Sequence, residues 1–243
     1  LVQAMRFDTK ATRPIRSAKD NLAPIREVFE IFVKKCQETY NLGEFTTLDE
    51  MLEAFRGKCR FRQYIANKPA KYGIKIYALV DARTFFTNNL EIYPGKQPQG
   101  EFDLSNDVVS VVKRMTKPID KSGRNVTMDN YFMDIPLAND LYVNHRLTVV
   151  GTVRKNKRQL PLELTSNIKE RPVCSTMFAF SRSPNNCMLA SYIPKKNKNV
   201  LVGSTMHRKG LIDEETGDSL KPELITFYNL TKGGVDVVDR MKT

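Results

Sequence analysis

Acidic residues at three separated places in the sequence have the chemistry of a metal-dependent site. Asp49 lies in an apolar, β-type run, Asp129 ends a second such run, and Asp236 and Asp239 lie near the end of the chain. A spacing of three places the last two on one helix face, with Cβ atoms roughly 5–6 Å apart. Acids near a helix start also complement the helix dipole, which is the favoured interpretation of an isolated D-x-x-D. The two upstream aspartates favour a shared site.

The stretch from Tyr228 to Met241 predicts the start of a helix that carries Asp236 and Asp239. Asn229 and Thr231 are suitable caps, and the glycines at 233–234 allow the backbone to approach another element closely. Val235 and Val238 form an apolar stripe that would seat the helix on a core.

Carboxylates that converge from distant positions suit phosphoryl transfer. Magnesium takes oxygen ligands, keeps several waters and is usually held by one or two carboxylates plus substrate phosphates. Two such ions about 4 Å apart activate the attacking oxygen and stabilise the leaving one. Clustered carboxylates also repel one another without a cation. Taken alone, Asp129 is equally well explained as a cap of the helix that follows it.

The elements that position these acids follow from hydrophobic periodicity. The core order is three strands, helix, strand, helix, strand, insert, helix, and an amphipathic helix beginning at Pro24 docks on that core. This order predicts an α/β protein with a ribonuclease-H-like mixed sheet core, a β-rich insertion and an N-terminal helical segment. The predicted strands are 45–52, 74–81, 84–93, 125–132 and 146–153, with short insert strands near 175–181, 188–193 and 199–206. The predicted helices are 24–40, 105–115 and 136–143.

The net charge of +12, from 39 basic and 27 acidic side chains, favours a polyanionic partner, and nucleic acid best. Arg56, Lys58, Arg60 and Arg62 alternate with other residues, so an extended segment would present all four cations on one face. Solvated surface charge is the simpler explanation, but four like charges repel unless an anion such as a phosphate backbone neutralises them. Residues 154–158 form a second basic run.

Several classes of protein are disfavoured. No run of about 18 apolar residues predicts a membrane span, and no signal peptide is visible. The four cysteines have no C-x-x-C spacing, which makes a structural zinc site improbable and favours reduced thiols. The chain begins without methionine and stops just after Asp239, as expected of a fragment.

Six segments, in order, resemble the piggyBac family of transposases and cover roughly residue 44 to the end. They are Thr47-Leu48-Asp49-Glu50-Met51, Phe55-Arg56-Gly57-Lys58, the segment 67–75 (NKPAKYGIK), Met128-Asp129-Asn130-Tyr131-Phe132, the segment 151–158 (GTVRKNKR) and the segment 231–239 (TKGGVDVVD).

The resemblance implies a DDE transposase that uses Mg²⁺ or Mn²⁺. Asp49, Asp129 and Asp236 would be catalytic metal ligands, with Asp239 as a fourth acid. The implied double-stranded DNA partners are transposon ends and TTAA targets, the full-length protein would be a nuclear homodimer, and no membrane is involved. DNA contacts are expected from Arg56, Lys58, Arg60, Arg62, Lys68, Lys71, Arg154, Lys155, Lys157 and Arg158.

The resemblance also implies a split catalytic domain. Residues 1–43 would end a helical dimerisation and DNA-binding region, 44–155 would form the first part of the catalytic core, 156–222 a β-rich insertion domain, and 223–243 the truncated final helix. Two alternatives are a domesticated DNA-binding protein that does not cut and a structural domain whose charge is incidental. Salt-sensitive DNA binding and a magnesium-dependent nicking assay separate the three hypotheses.

Overall fold

The computed structural model describes residues 8–68, 70–182 and 186–242. In these ranges the strands are β1 (Phe45–Ala54), β2 (Gln63–Tyr64), β3 (Tyr72–Asp81), β4 (Thr87–Ile92), β5 (Asn125–Met128), β6 (Thr148–Thr152), β7 (Thr176–Phe180), β8 (Met188–Lys195) and β9 (Lys198–Ser204). The helices are α1 (Arg13–Ser17), α2 (Arg26–Thr39), α3 (Val108–Thr116), α4 (Ile135–His145), α5 (Glu223–Thr231) and α6 (Gly234–Met241).

All nine strands belong to one mixed sheet in the order β2-β3-β1-β5-β6-β9-β8-β7, with β4 also pairing β3. The central strands β1, β5 and β6 are parallel to one another, and the remaining pairs are antiparallel. The fold is therefore the expected ribonuclease-H-like α/β fold. The three parallel strands end at the same edge of the sheet, where loops from different parts of the chain meet.

Helices cover both faces of the sheet because its central strands are apolar on both sides. On one face α3 and α4 pack their buried side chains, such as Met115 and Leu141, against Leu48, Val126 and Val149 of the strands. The opposite face is covered by the last two helices. There α5 packs on β6, β8 and β9, and α6 packs on β1 and β3.

The segment 156–222 supplies β7, β8 and β9. These strands extend the central sheet, because β9 pairs with β6 in antiparallel orientation from Val150↔Ser204 to Thr152↔Val202. The segment is β-rich as expected, and its strands continue the central sheet. The boundaries of the predicted domains at residues 43, 155 and 222 stay a prediction.

Helix α2, predicted at residues 24–40, differs from its prediction. It begins at Arg26, two residues after Pro24, and none of its residues is fully buried within the part of the chain that the structure describes. Phe29 and Val33 are half-buried, whereas Val28 and Phe32 on the same predicted apolar side are exposed. The helix contacts β4 along one narrow stripe, so the periodicity identified the helix but overstated the core beneath it.

Residues 55–62, named here the basic loop, form turns where an extended strand was predicted. The prediction of one shared strand face was wrong, because the chain leaves β3 after the contact of Phe55 N with Tyr72 O and rejoins it only at β2. The Arg62 guanidinium closes the loop by donating to the carbonyls of Arg56 (3.3 Å) and Gly57 (3.5 Å). All four cations of the basic loop are nevertheless exposed.

No helix among the described residues is both long enough and apolar enough to cross a membrane.

Candidate active site

The first two acids are brought together by strand register. In the parallel pair β1–β5, Leu48 lies opposite Met128, so Asp49 and Asp129 follow at the same level of the sheet. Asp49 continues along β1, and Asp129 is the first residue beyond β5. The helix that follows is capped by Asp134, whose carboxylate accepts from Leu137 N, so Asp129 is not the cap of α4.

The third acid is carried by α6, and small and hydroxyl-bearing residues seat this helix on the sheet. A Cβ on Gly234 would lie 2.6 Å from Thr47 Oγ1, which leaves room for glycine alone without movement. Thr47 donates to the Thr231 carbonyl (2.5 Å), and the Thr231 and Thr127 hydroxyls are 2.8 Å apart. Val235 is fully buried. The predicted close approach is thereby confirmed at Gly234 but not at Gly233, where nothing lies within 4 Å of an added Cβ.

The predicted helix at residues 228–241 is in fact two helices. Asn229 and Thr231 belong to the last turn of α5, and the chain turns at residues 232–233 before α6 begins at Gly234. The prediction that Asn229 and Thr231 cap the helix was therefore wrong. The Thr231 hydroxyl donates back to Phe227 O (2.9 Å) and contacts the two strand threonines, so its role is to anchor the junction.

Asp49, Asp129 and Asp236 line one pocket of about 190 Å³. Its other lining residues are Thr47, Leu48, Met128, Tyr228 and Lys232. The pocket lies where β5 ends beside the middle of β1, and the α5–α6 junction crosses the sheet there. The structure thus brings the three predicted catalytic acids to one cavity.

The carboxylates in and beside the pocket repel one another, so a positive charge there would be favourable. Burial, with repulsion from Glu50 and Asp129, raises the pKa of Asp49 to about 7. Burial also raises the pKa of Glu50, and a nearby Asp129 and Asp236 add to this effect. Tyr228 has its pKa raised by burial and by the same carboxylates. A cation in the pocket would relieve these repulsions.

The donor atoms suit a hard cation, although the site is not preassembled. Asp49 accepts from Glu50 N (2.7 Å) and Asp129 from Tyr131 N (2.8 Å), each through Oδ1. Within residues 8–68, 70–182 and 186–242, no three His, Cys, Asp or Glu side chains are grouped closely enough to hold one metal ion. Oxygen donors, and few of them, are what magnesium uses when phosphates and water complete its shell. The residues therefore fit Mg²⁺ or Mn²⁺ by type, and the assignment of Asp49, Asp129, Asp236 and Asp239 as metal ligands stays a prediction.

Asp239 lies outside the pocket lining and is held by lysines. Lys242 Nζ is 3.1 Å from its Oδ1, and Lys68 Nζ is 3.9 Å from its Oδ2. Lys68 also lies 3.5 Å from Asp236 Oδ1. The structure thus places Lys68 against the acids, whereas Lys71 on the same turn is exposed.

The second basic run follows β6 and so lies at the same sheet edge as the acids. Arg154, Lys155 and Arg158 are exposed. The Arg154 guanidinium lies 5.8 Å from the Tyr131 ring centroid and donates to Asn130 Oδ1 (3.3 Å). Lys157 is half-buried and pairs with Asp134 at 2.6 Å, which makes it a structural contact of α4 as well as a predicted DNA contact.

Sequence reasoning assigned no role to several residues that build the site. Tyr228 lines the pocket, Glu50 lies beside Asp49, and Thr47 and Thr127 hold α6 in place through Thr231, which was predicted only as a helix cap. Their side chains meet across up to 184 residues of sequence, so no local spacing indicates them. For Glu50 a signal existed, since it directly follows the first acid.

The sheet order and its acidic pocket define a ribonuclease-H-like protein of the DDE type, and comparisons with known proteins agree. The family model described as Transposase IS4 matches residues 1–243. The chain belongs to this family, in its piggyBac branch.

A solved structure, a piggyBac transposase synaptic complex with hairpin DNA, is 41% identical to this chain, with a TM-score of 0.88. The match covers 99% of this chain and 48% of that one. Two human proteins, PiggyBac transposable element-derived protein 3 and the Chimeric ERCC6-PGBD3 protein, are each 22% identical over 236 residues. Those matches cover 90% of this chain but 38% and 21% of the relatives. The chain therefore spans less than half the length of these relatives.

Proposed function

We propose that the protein is a DNA transposase that breaks and rejoins DNA strands by metal-dependent phosphoryl transfer. The observation that carries this proposal is the meeting of Asp49, Asp129 and Asp236 in one pocket beside the parallel strands β1 and β5. The family and the resemblance to a transposase seen with hairpin DNA support the same chemistry. Joining at TTAA targets is the finer part of the proposal and is supported by family resemblance.

Asp49, Asp129 and Asp236 would hold the cation, and Asp239 would support Asp236 from the same helix. When bound, Mg²⁺ or Mn²⁺ would activate the attacking oxygen and neutralise charge at the scissile phosphate. The chain's own contribution is positional. The register of β1 and β5 places Asp49 and Asp129 at one level of the sheet. The close contact of Gly234 with Thr47 sets how near to the sheet α6 holds Asp236.

Double-stranded DNA is the proposed substrate, and the basic loop and residues 154–158 are the proposed phosphate contacts. Both segments are exposed and cationic, and the second follows β6 at the sheet edge that carries the acids. Phosphate contacts of this kind position a duplex without reading its sequence. A nuclear homodimer is proposed for the full-length protein on family resemblance.

The decisive variant is Asp129→Asn, which removes a carboxylate charge and keeps the shape of the side chain. We expect the full-length protein to nick duplex DNA that carries its transposon ends flanked by TTAA in the presence of Mg²⁺ or Mn²⁺. Asp129→Asn should abolish nicking and leave DNA affinity within about twofold. Asp103→Asn, a change of equal charge in an exposed loop, serves as the matched control and should nick normally.

Two outcomes would contradict parts of the proposal. If Asp129→Asn nicked DNA as fast as the wild type, Asp129 and its neighbouring acids would not be the catalytic metal ligands. Tight DNA binding by the unaltered protein, with no product at any Mg²⁺ or Mn²⁺ concentration, would indicate a protein that binds DNA without cutting it.

A further inference from the structure

Lys68 differs from the other cations predicted to contact DNA, because its ammonium group faces the acids. The side chain is only 15% exposed. Its Nζ donates to the backbone carbonyl of Glu50 (2.8 Å) and lies 3.5 Å from Asp236 Oδ1 and 3.9 Å from Asp239 Oδ2. The turn between β2 and β3 therefore places one positive charge beside two of the predicted metal-binding acids.

The neighbouring lysines have other contacts. Lys232, which lines the pocket, is exposed, and its Nζ lies 5.3 Å from the Tyr228 ring centroid. Lys75 lies 3.9 Å from Glu50 Oε2 and is held against the rings of Tyr77 (4.8 Å) and Tyr131 (4.5 Å). At the far end of α6, Lys242 bridges Glu53 and Asp239. In the described part of the chain, the ion pair formed by Asp236 is with Lys68.

Lys68 also connects the third acid to the first. Glu50, whose carbonyl accepts from Lys68, donates its own N–H to Asp49 Oδ1 at 2.7 Å. One residue of β1 thus orients Asp49 through its amide and Lys68 through its carbonyl. Lys68 in turn reaches across to α6, so the acids of the strand and of the helix are linked through a single lysine.

We propose that Lys68 is a positioning residue that acts as the internal counter-cation of Asp236 and competes with the divalent ion. The inference rests on the proposed function, because it concerns the same acids. Without the ion, the ammonium group holds Asp236 near the pocket and offsets the repulsion among the carboxylates. With the ion bound, the two cations repel, and Lys68 shifts away from Asp236.

This competition predicts the sign of a measurable effect. A unit charge a few ångströms from a divalent ion lowers its affinity, and by thermodynamic linkage the ion weakens the lysine contact equally. Replacing Lys68 by glutamine should therefore tighten Mn²⁺ binding by about fivefold at low salt, with the difference shrinking in high salt. A residue that only stabilised the fold would weaken binding when replaced.

The test is direct titration of the whole chain with Mn²⁺, followed by the electron paramagnetic resonance signal of the free ion. Lys68→Gln should bind Mn²⁺ about fivefold more tightly than the wild type, and Lys68→Arg should restore wild-type affinity. Lys117→Gln makes the same change in net charge at an exposed position and should leave affinity unchanged. Asp129→Asn reports whether the titrated ion occupies the acidic pocket.

A second measurement on the unaltered protein does not depend on how a variant folds. Acetylation of Lys68, followed by mass spectrometry, should speed up severalfold when Mn²⁺ is added, because the ammonium group leaves its acidic partners. Acetylation of Lys117 should not change. Unchanged labelling of Lys68 together with unchanged or weaker Mn²⁺ binding by Lys68→Gln would overturn this inference alone. An absence of Mn²⁺ binding in every variant would overturn it and the proposed metal site together.

Discussion

Gly234 offers the sharpest test of how the site is built, because a single methyl group there must displace the helix that carries Asp236. A Cβ at this position would lie 2.6 Å from Thr47 Oγ1 and 3.1 Å from Thr47 Cβ. Carbon atoms in contact prefer about 3.5–4.0 Å, so α6 or β1 must move by about 1 Å. Thr47 is buried and bonded to Thr231 O, which prevents it from turning aside freely.

The magnitude follows from two opposing terms. Forcing an extra methyl into a packed contact costs about 1–3 kcal/mol, and replacing glycine by alanine in a helix returns at most about 1 kcal/mol. We expect Gly234→Ala to lose about 1–2 kcal/mol of unfolding free energy, which lowers the melting temperature of a chain of this size by about 2–8 °C. Because the substitution displaces Asp236, the nicking rate should fall by more than the loss of folded protein alone would explain.

Gly233→Ala is the matched control, since nothing lies within 4 Å of a Cβ at that neighbouring position and its φ is −84°. Thermal unfolding by circular dichroism should separate the two alanine variants. Adding Thr47→Ala to Gly234→Ala removes the clashing oxygen, so the double variant should lose less stability than the sum of the single changes. Equal melting temperatures for Gly233→Ala and Gly234→Ala would refute the reasoning.

Three further expectations follow from other parts of the molecule. Burial alone would raise the pKa of Asp20, but hydrogen bonds from Arg26, Leu22 N and Gln97 outweigh burial and lower the pKa. The ionised carboxylate therefore stabilises the folded state at pH values above the pKa of Asp20 in the unfolded chain. This stabilisation is lost as the pH falls through the lower pKa of Asp20 in the folded protein. Asp20→Asn should cost about 2 kcal/mol at pH 7, with the gap to wild type narrowing towards pH 2 in denaturant titrations, and a gap independent of pH would contradict the assignment. Changing the four cations of the basic loop to glutamine should make the slope of log binding constant against log salt concentration, measured with duplex DNA, less steep by about 3–4. An unchanged slope would show that the basic loop does not contact the DNA phosphates. Burial raises the pKa of Cys187 to about 11, so iodoacetamide at pH 8 should modify it only after unfolding, as peptide mass mapping would show.

Local sequence pattern was sufficient for much of the sheet. The apolar runs around Asp49 and Asp129 have the period and composition of buried strands, with Asp49 inside the first run and Asp129 at the end of the second. Those runs became β1 and β5, and the antiparallel pair β3–β4 was equally evident from its β-branched residues and turn. The local pattern could not predict which strands pair with one another. The basic loop alternates like a strand, but its backbone has no neighbour to bond until β2.

The helix pattern failed at the end of the chain for a related reason. The prediction placed a single helix from residue 228 onward, whereas α5 begins at Glu223 and the chain breaks at 232–233, where contacts with distant strands seat α6. Thr231 meets Thr47 and Thr127, and Gly234 meets Thr47. Such contacts join positions far apart in sequence, so they appear only once the sheet is folded. The pairing of Lys68 with Asp236 belongs to the same group.

The late position of α6 has a consequence for synthesis. Met51, Ala78 and Val80 form an apolar strip on β1 and β3 that is covered by Val235, so a growing polypeptide exposes that strip until α6 leaves the ribosome. Contacts so distant in sequence form slowly. A nascent chain therefore has an exposed apolar sheet surface during translation, and a premature stop codon before residue 234 would yield a polypeptide recognised by chaperones or degraded.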